Sequence, residues 1–69
     1  MPIEHKKEFG VYLWDTFDNE TMLIKEFDSF DKARAFVEEK YGRQISPNGA
    51  DVIEIVDSHG EIKARWTIT

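Results

Sequence analysis

Residues 29–42, with the sequence SFDKARAFVEEKYG, most constrain how this chain can fold, because they predict one amphipathic helix. Apolar side chains recur there at intervals of three and four residues, which is the period of one helical face. This face consists of Phe30, Ala33, Phe36, Val37, Lys40 and Tyr41. A chain of 69 residues has little apolar surface to spare. The helix is therefore expected to bury this face against a sheet.

Both ends of the helix carry recognisable signals. Asp28 or Ser29 is expected to cap the first turn, because a short side-chain oxygen accepts a free backbone N–H there. Gly42 is expected to end the helix in the left-handed conformation, which costs glycine nothing. Arg34 and Glu38 are four residues apart and can form an ion pair on the exposed side.

Two pairs of strands flank the helix. Runs of apolar and β-branched residues separated by turn residues predict strands at 9–14, 21–27, 51–57 and 62–69. Residues 8–69 are therefore predicted to be a single α+β domain with the order β-β-α-β-β. Residues 1–7 are polar and are interpreted as a flexible N-terminal lead-in.

The sheet is predicted to be four-stranded and antiparallel, with the helix packed on one face. The first and third strands are apolar on both faces, which is typical of central strands. This favours the strand order 2-1-3-4. The order 1-2-4-3 is the alternative.

Composition limits the classes of partner. The formal net charge is −5, and phosphate backbones are bound mainly by cations, so nucleic acid is an unlikely partner. The same charge argues against an anionic membrane surface. There is no cysteine, no run of about 20 apolar residues and no secretory signal. We expect a soluble cytoplasmic protein.

The sequence gives no support for catalysis or for a cofactor. The carboxylates of residues 15–20 do not have the spacing of a calcium loop, and a hairpin turn explains them. Asp57, His59 and Glu61 lie close together at a turn, but no spacing rule makes them a metal or acid–base site. His5 has no neighbour that would make it a ligand. We expect a protein that is not an enzyme and binds no metal.

The open face, which is the sheet face opposite the helix, is the candidate functional surface. Strand alternation assigns a set of mostly large apolar residues to the helix side: Phe9, Val11, Leu13, Ile53, Ile55, Ile62, Ala64, Trp66 and Ile68. The open face is then predicted to carry Tyr12, Trp14, Val52, Glu54, Val56, Lys63 and Arg65. Lys25 joins this set if Met22 and Ile24 face the helix.

Aromatic residues and valines rimmed by charge usually mark an interface. The favoured hypothesis is a protein-interaction module that forms a homodimer or binds another protein partner through the open face. The chain remains a monomer if the stems of Lys25, Lys63 and Arg65 cover the rings instead. The alternative function is single-stranded nucleic-acid binding by aromatic and basic residues on the sheet. No motif identifies a family.

Overall fold

Residues 6–69 are described by a computed structural model, and they form four strands and one helix. The elements in chain order are β1 (Phe9–Asp15), β2 (Glu20–Phe27), α1 (Phe30–Tyr41), β3 (Asp51–Asp57) and β4 (Ile62–Ile68). All neighbouring strands are antiparallel, and the sheet order is β2-β1-β3-β4. The predicted α+β fold and the favoured strand order are confirmed, and the order 1-2-4-3 is wrong.

The predicted N-terminal lead-in falls partly outside the described residues, which exclude residues 1–5 and with them His5. The first described residues, Lys6 and Lys7, are exposed. Both donate their backbone N–H groups to Glu26 Oε1, the Lys7 bond measuring 3.2 Å. The chain therefore enters the domain beside the end of β2.

Helix α1 covers one face of the sheet. Ala33 and Val37 on the helix are fully buried, as are Val11, Ile53 and Ile55 on the two central strands. These five side chains form the centre of the hydrophobic core. The apolar helical face is thus core, as the sequence predicts, and burying it accounts for the position of the helix.

The sequence predicts the start of the helix correctly but not the conformation of Gly42, which follows its last residue. Ser29 caps the first turn, and its hydroxyl accepts a hydrogen bond from Lys32 N–H at 3.2 Å. Gly42 is right-handed, with φ −53° and ψ −37°, so the predicted left-handed end is wrong. A Cβ atom at Gly42 would lie 2.3 Å from the Glu38 carbonyl oxygen. Close approach of the backbone, rather than a positive φ, explains this glycine.

The segment after the helix protects the outer edge of β4. Ser46 N–H donates to the Thr67 carbonyl at 2.9 Å, and Thr69 N–H donates to the Gln44 carbonyl at 2.8 Å. Ile45 lies between these two bonds but remains 37% exposed. The loop is held by its backbone, and it covers edge groups that would otherwise be free to pair with another chain.

A β-bulge in β2 changes which of its side chains face the helix. Val11 lies opposite Lys25 and Tyr12 lies opposite Leu23, so Ile24 is an extra residue between the two pairs. Residues directly opposite each other in a sheet point to the same face. Lys25 therefore lies on the helix side with Val11, and Leu23 lies on the open face with Tyr12.

A second bulge has the same effect in β4. Ile55 lies opposite Ala64 and Val56 lies opposite Ile62, so Lys63 is the extra residue. Ile62 consequently shares the open face with Val56, and its predicted position on the helix side is wrong. The bulge in β4 thus exchanges a predicted lysine on the open face for Ile62, and the bulge in β2 exchanges Lys25 for Glu26, which lies opposite Gly10.

The turn between β3 and β4 depends on the backbone of Gly60. This residue has φ 81°, and its N–H donates to the Asp57 carbonyl at 3.1 Å. Non-glycine residues are strained by about 1 kcal/mol or more in this conformation, although asparagine tolerates it best. No atom lies within 4 Å of a Cβ built at this position, so only the backbone opposes a substitution.

We predict that Gly60→Ala lowers the free energy of unfolding by about 1 kcal/mol, and that Gly60→Asn lowers it by less. Urea titrations followed by circular dichroism measure both changes. The account of the turn is wrong if the alanine variant is as stable as the parent chain.

Candidate interaction surface on the open sheet face

The open face carries three rows of side chains that run across the strands. The middle row joins Tyr12 on β1, Glu54 on β3 and Arg65 on β4. One flanking row joins Trp14, Val52 and Thr67, and the other joins Gly10, Val56 and Ile62. With Leu23 from β2, the apolar members of the face are Tyr12, Trp14, Leu23, Val52, Val56 and Ile62.

These apolar residues are exposed to different extents. Tyr12 is 2% exposed, and Val52 and Val56 are each 6% exposed. Trp14 and Ile62 are 40% and 51% exposed. The accessible apolar surface of the open face is therefore concentrated on these two side chains, which lie in the two outer rows.

A groove with a volume of about 460 Å³ crosses the open face. Such a volume lies within the usual range of ligand and side-chain binding sites, about 300–1,000 Å³. It reaches from the β1–β2 turn to the β3–β4 turn, and its lining includes Tyr12, Trp14, Glu54, Val56 and Ile62. The face can thus receive protruding side chains as well as a flat surface.

Two opposite charges stand side by side in the middle row. Glu54 is half-buried and Arg65 is exposed, and they are directly opposite each other on β3 and β4. Within residues 6–69, neither side chain takes part in an ion pair or a side-chain hydrogen bond. A half-buried carboxylate without a partner is unfavourable, so a donor brought to this site by a binding partner stabilises it.

Lys25, one of the predicted open-face residues, lies on the helix side. Its ammonium nitrogen is 5.6 Å from the ring centroids of both Phe27 and Phe36. Phe36 belongs to α1, so the side chain reaches over the helix-covered face and makes cation–π contacts there. The predicted position is wrong because strict alternation does not account for the bulge at Ile24.

Lys63 is also on the helix side, although alternation places it on the open face. Its Nζ atom is 3.7 Å from Asp57 Oδ2 and 3.4 Å from Glu61 Oε2. It also borders a shallow hollow beside Phe9 and Phe30. The predicted position is wrong for the same physical reason, since Lys63 is the bulged residue of β4.

These two corrections change the chemistry of the surface. Within the four strands, Arg65 is the one cation on the open face. Neither Lys25 nor Lys63 is placed to cover Tyr12 or Trp14 with its stem. The nucleic-acid alternative needs a basic stripe along the aromatics, so it loses two of the three cations on which it depended.

Asp57 anchors the turn from which β4 starts. Its carboxylate is nearly buried, and Oδ1 accepts hydrogen bonds from Glu61 N–H at 2.9 Å and His59 N–H at 2.8 Å. The bond from Glu61 N–H is the largest influence and lowers the pKa of Asp57 below its ordinary 3.8, against the opposing effect of burial. The carboxylate is thus engaged in holding the chain at Ile62 and Lys63 in place, and it contacts the His59 backbone.

We predict that this carboxylate contributes to stability at neutral pH and loses its contribution in acid. Because its pKa is lower in the folded chain, the contribution is complete above about pH 3.8 and disappears as the pH falls through the folded-state pKa. Asp57→Asn keeps an acceptor oxygen but does not titrate. In urea unfolding at a series of pH values, the parent chain should lose more stability than this variant below pH 3.8. Equal losses would contradict the assignment.

Comparison with known proteins does not assign a family, since no family model matches the chain and no curated protein or solved structure is significantly similar to it. Among residues 6–69 no helix is both long and apolar enough to cross a membrane. The same residues contain no group of three or more His, Asp or Glu side chains placed to hold a metal ion. The exposed Trp14 and Ile62 make the open face the candidate surface for a functional proposal.

Proposed function

We propose that this chain is a non-enzymatic protein-interaction module that forms a homodimer through its open face. One observation carries the proposal: the bulge in β4 places Ile62 on this face and turns Lys63 to the helix side. Edge strands that face water normally carry charge there. The exposed Ile62 on the same face would lose contact with water in a dimer.

A second copy is a suitable partner because the face is self-complementary in character. It is apolar over most of its area, and its charged strand residues are two acids, Glu26 and Glu54, and one base, Arg65. The whole chain has a net charge of −5, so two copies repel each other weakly at distance. An interface with little net charge of its own reduces that penalty at contact.

The size of the surface indicates how strong the dimer is. Four strands of about seven residues span roughly 19 by 23 Å, at about 4.8 Å per strand and 3.3 Å per residue. This area of roughly 440 Å² is an upper limit for the contact, and it is well below the roughly 800 Å² per partner of a standard stable interface. The expected dimer is therefore reversible, with a dissociation constant on the order of micromolar. Absence of cysteine fits a role in the reducing cytoplasm.

Two matched substitutions test this proposal. Ile62 is 51% exposed on the open face, and Met22 is 53% exposed opposite Leu13 on the helix side. Ile62→Lys should leave a folded monomer, because it buries a charge in the dimer interface. Met22→Lys adds the same charge at a similar exposure and should leave dimerisation unchanged. Sedimentation equilibrium over a wide concentration range measures both.

Loss of dimer in both variants, or in neither, would contradict the assignment of the interface. A parent chain that stays monomeric at several hundred micromolar, roughly a hundredfold above the expected dissociation constant, would overturn the proposed function itself. Circular dichroism establishes that each variant remains folded.

A further inference from the structure

One orientation of the two-fold axis in the proposed dimer brings the two charged residues of the middle row, Glu54 and Arg65, into contact across the interface. We infer that this axis runs parallel to the strands, between β3 and β4, so that Glu54 of each copy pairs with Arg65 of the other. This inference rests on the proposed function and assigns to it a partner orientation. Its starting observation is that Glu54 and Arg65 are directly opposite each other and, within residues 6–69, form no ion pair.

Symmetry restricts how two such faces can meet. In a two-fold interface, residue i of one copy contacts residue j of the other, and j of the first contacts i of the second. An axis at right angles to the strands through the middle row would set Glu54 against Glu54 and Arg65 against Arg65. An axis along the strands, midway between β3 and β4, exchanges the two strands and brings each acid to a base.

The same axis matches the remaining rows of β3 and β4, the two strands that it lays over each other, and β1 and β2 of each copy extend beyond this contact. Because the register pairs Val56 with Ile62, exchanging the strands lays Val56 of one copy over Ile62 of the other. It likewise lays Val52 over Thr67. Ile62, which is exposed in the monomer, then contacts the nearly buried Val56. The same two-fold rotation therefore produces both an aliphatic contact and an ionic contact.

The distances between packed sheets allow this ionic contact. Facing sheets lie about 10 Å apart and cross at about −30° in the aligned class of packing, which an axis along the strands permits. Glutamate and arginine side chains extending toward each other span a gap of that size. The Glu54 carboxylate, half-buried beside Tyr12, gains a second charged donor besides Arg65 of its own chain, with which it forms no ion pair within residues 6–69.

Charge reversal tests the orientation. Glu54→Arg leaves two arginines on the face and Arg65→Glu leaves two glutamates, so each single variant should lose at least about tenfold in dimer affinity. An equimolar mixture of the two variants should form a heterodimer, since every pair across the axis is again opposite in charge. The double variant E54R/R65E should dimerise like the parent chain. Sedimentation equilibrium reports all four samples, and circular dichroism checks their fold.

The outcomes separate this inference from the proposal on which it rests. If the parent chain dimerises, and the mixture and the double variant show no recovery over the single variants, the orientation is wrong and the open-face dimer stands. If both single variants dimerise like the parent chain, the charges do not meet and the inference is again overturned. If the Ile62→Lys chain still dimerises, the open-face proposal fails whatever the charge variants do.

Discussion

One helix can cover one face of a four-stranded sheet, and the rest of this structure depends on that limit. Helix α1 buries Ala33 and Val37 against the central strands, and Phe30, Phe36 and Tyr41 pack partly buried beside them. Strands β1 and β3 are nevertheless apolar on both faces, because Tyr12, Val52 and Val56 point away from the helix. A small domain built in this way carries a second apolar surface, and that surface needs either polar cover or a partner.

The two β-bulges determine which charged side chains lie on this second surface. Each inserts one residue into an edge strand and moves a lysine to the helix side, while Ile62 moves to the open face in β4 and Glu26 does so in β2. Lys25 then contacts the Phe27 and Phe36 rings, and Lys63 contacts Asp57. Edge bulges also interrupt strand pairing, so they discourage edge-to-edge aggregation. The lysines thus support the covered side of the sheet, and neither of them covers the open side.

Much of this fold can be predicted from sequence periodicity, whereas the composition of the open face can be predicted only in part. Alternation is a period-two rule, so it places Tyr12, Trp14, Glu54 and Val56 correctly on strands without an inserted residue. The rule fails beyond Ile24 and at Ile62, because one extra residue reverses the sheet face to which the neighbouring side chains point. Nothing in the amino-acid composition indicates where that residue is inserted. Gly42 shows a related limit, since close approach to Glu38 selects glycine there and no local pattern reveals that contact.

The central claim is that a second copy covers the open face, and contacts between chains test it most directly. Nuclear Overhauser effects can be recorded in a mixture of isotope-labelled and unlabelled chains, filtered so that only contacts between copies appear. The account predicts such contacts at the methyl groups of Ile62, Val52 and Val56, and none at the Met22 methyl on the helix side. Contacts confined to the helix side or to the β2 edge, or their absence at concentrations where the chain sediments as a dimer, would contradict it.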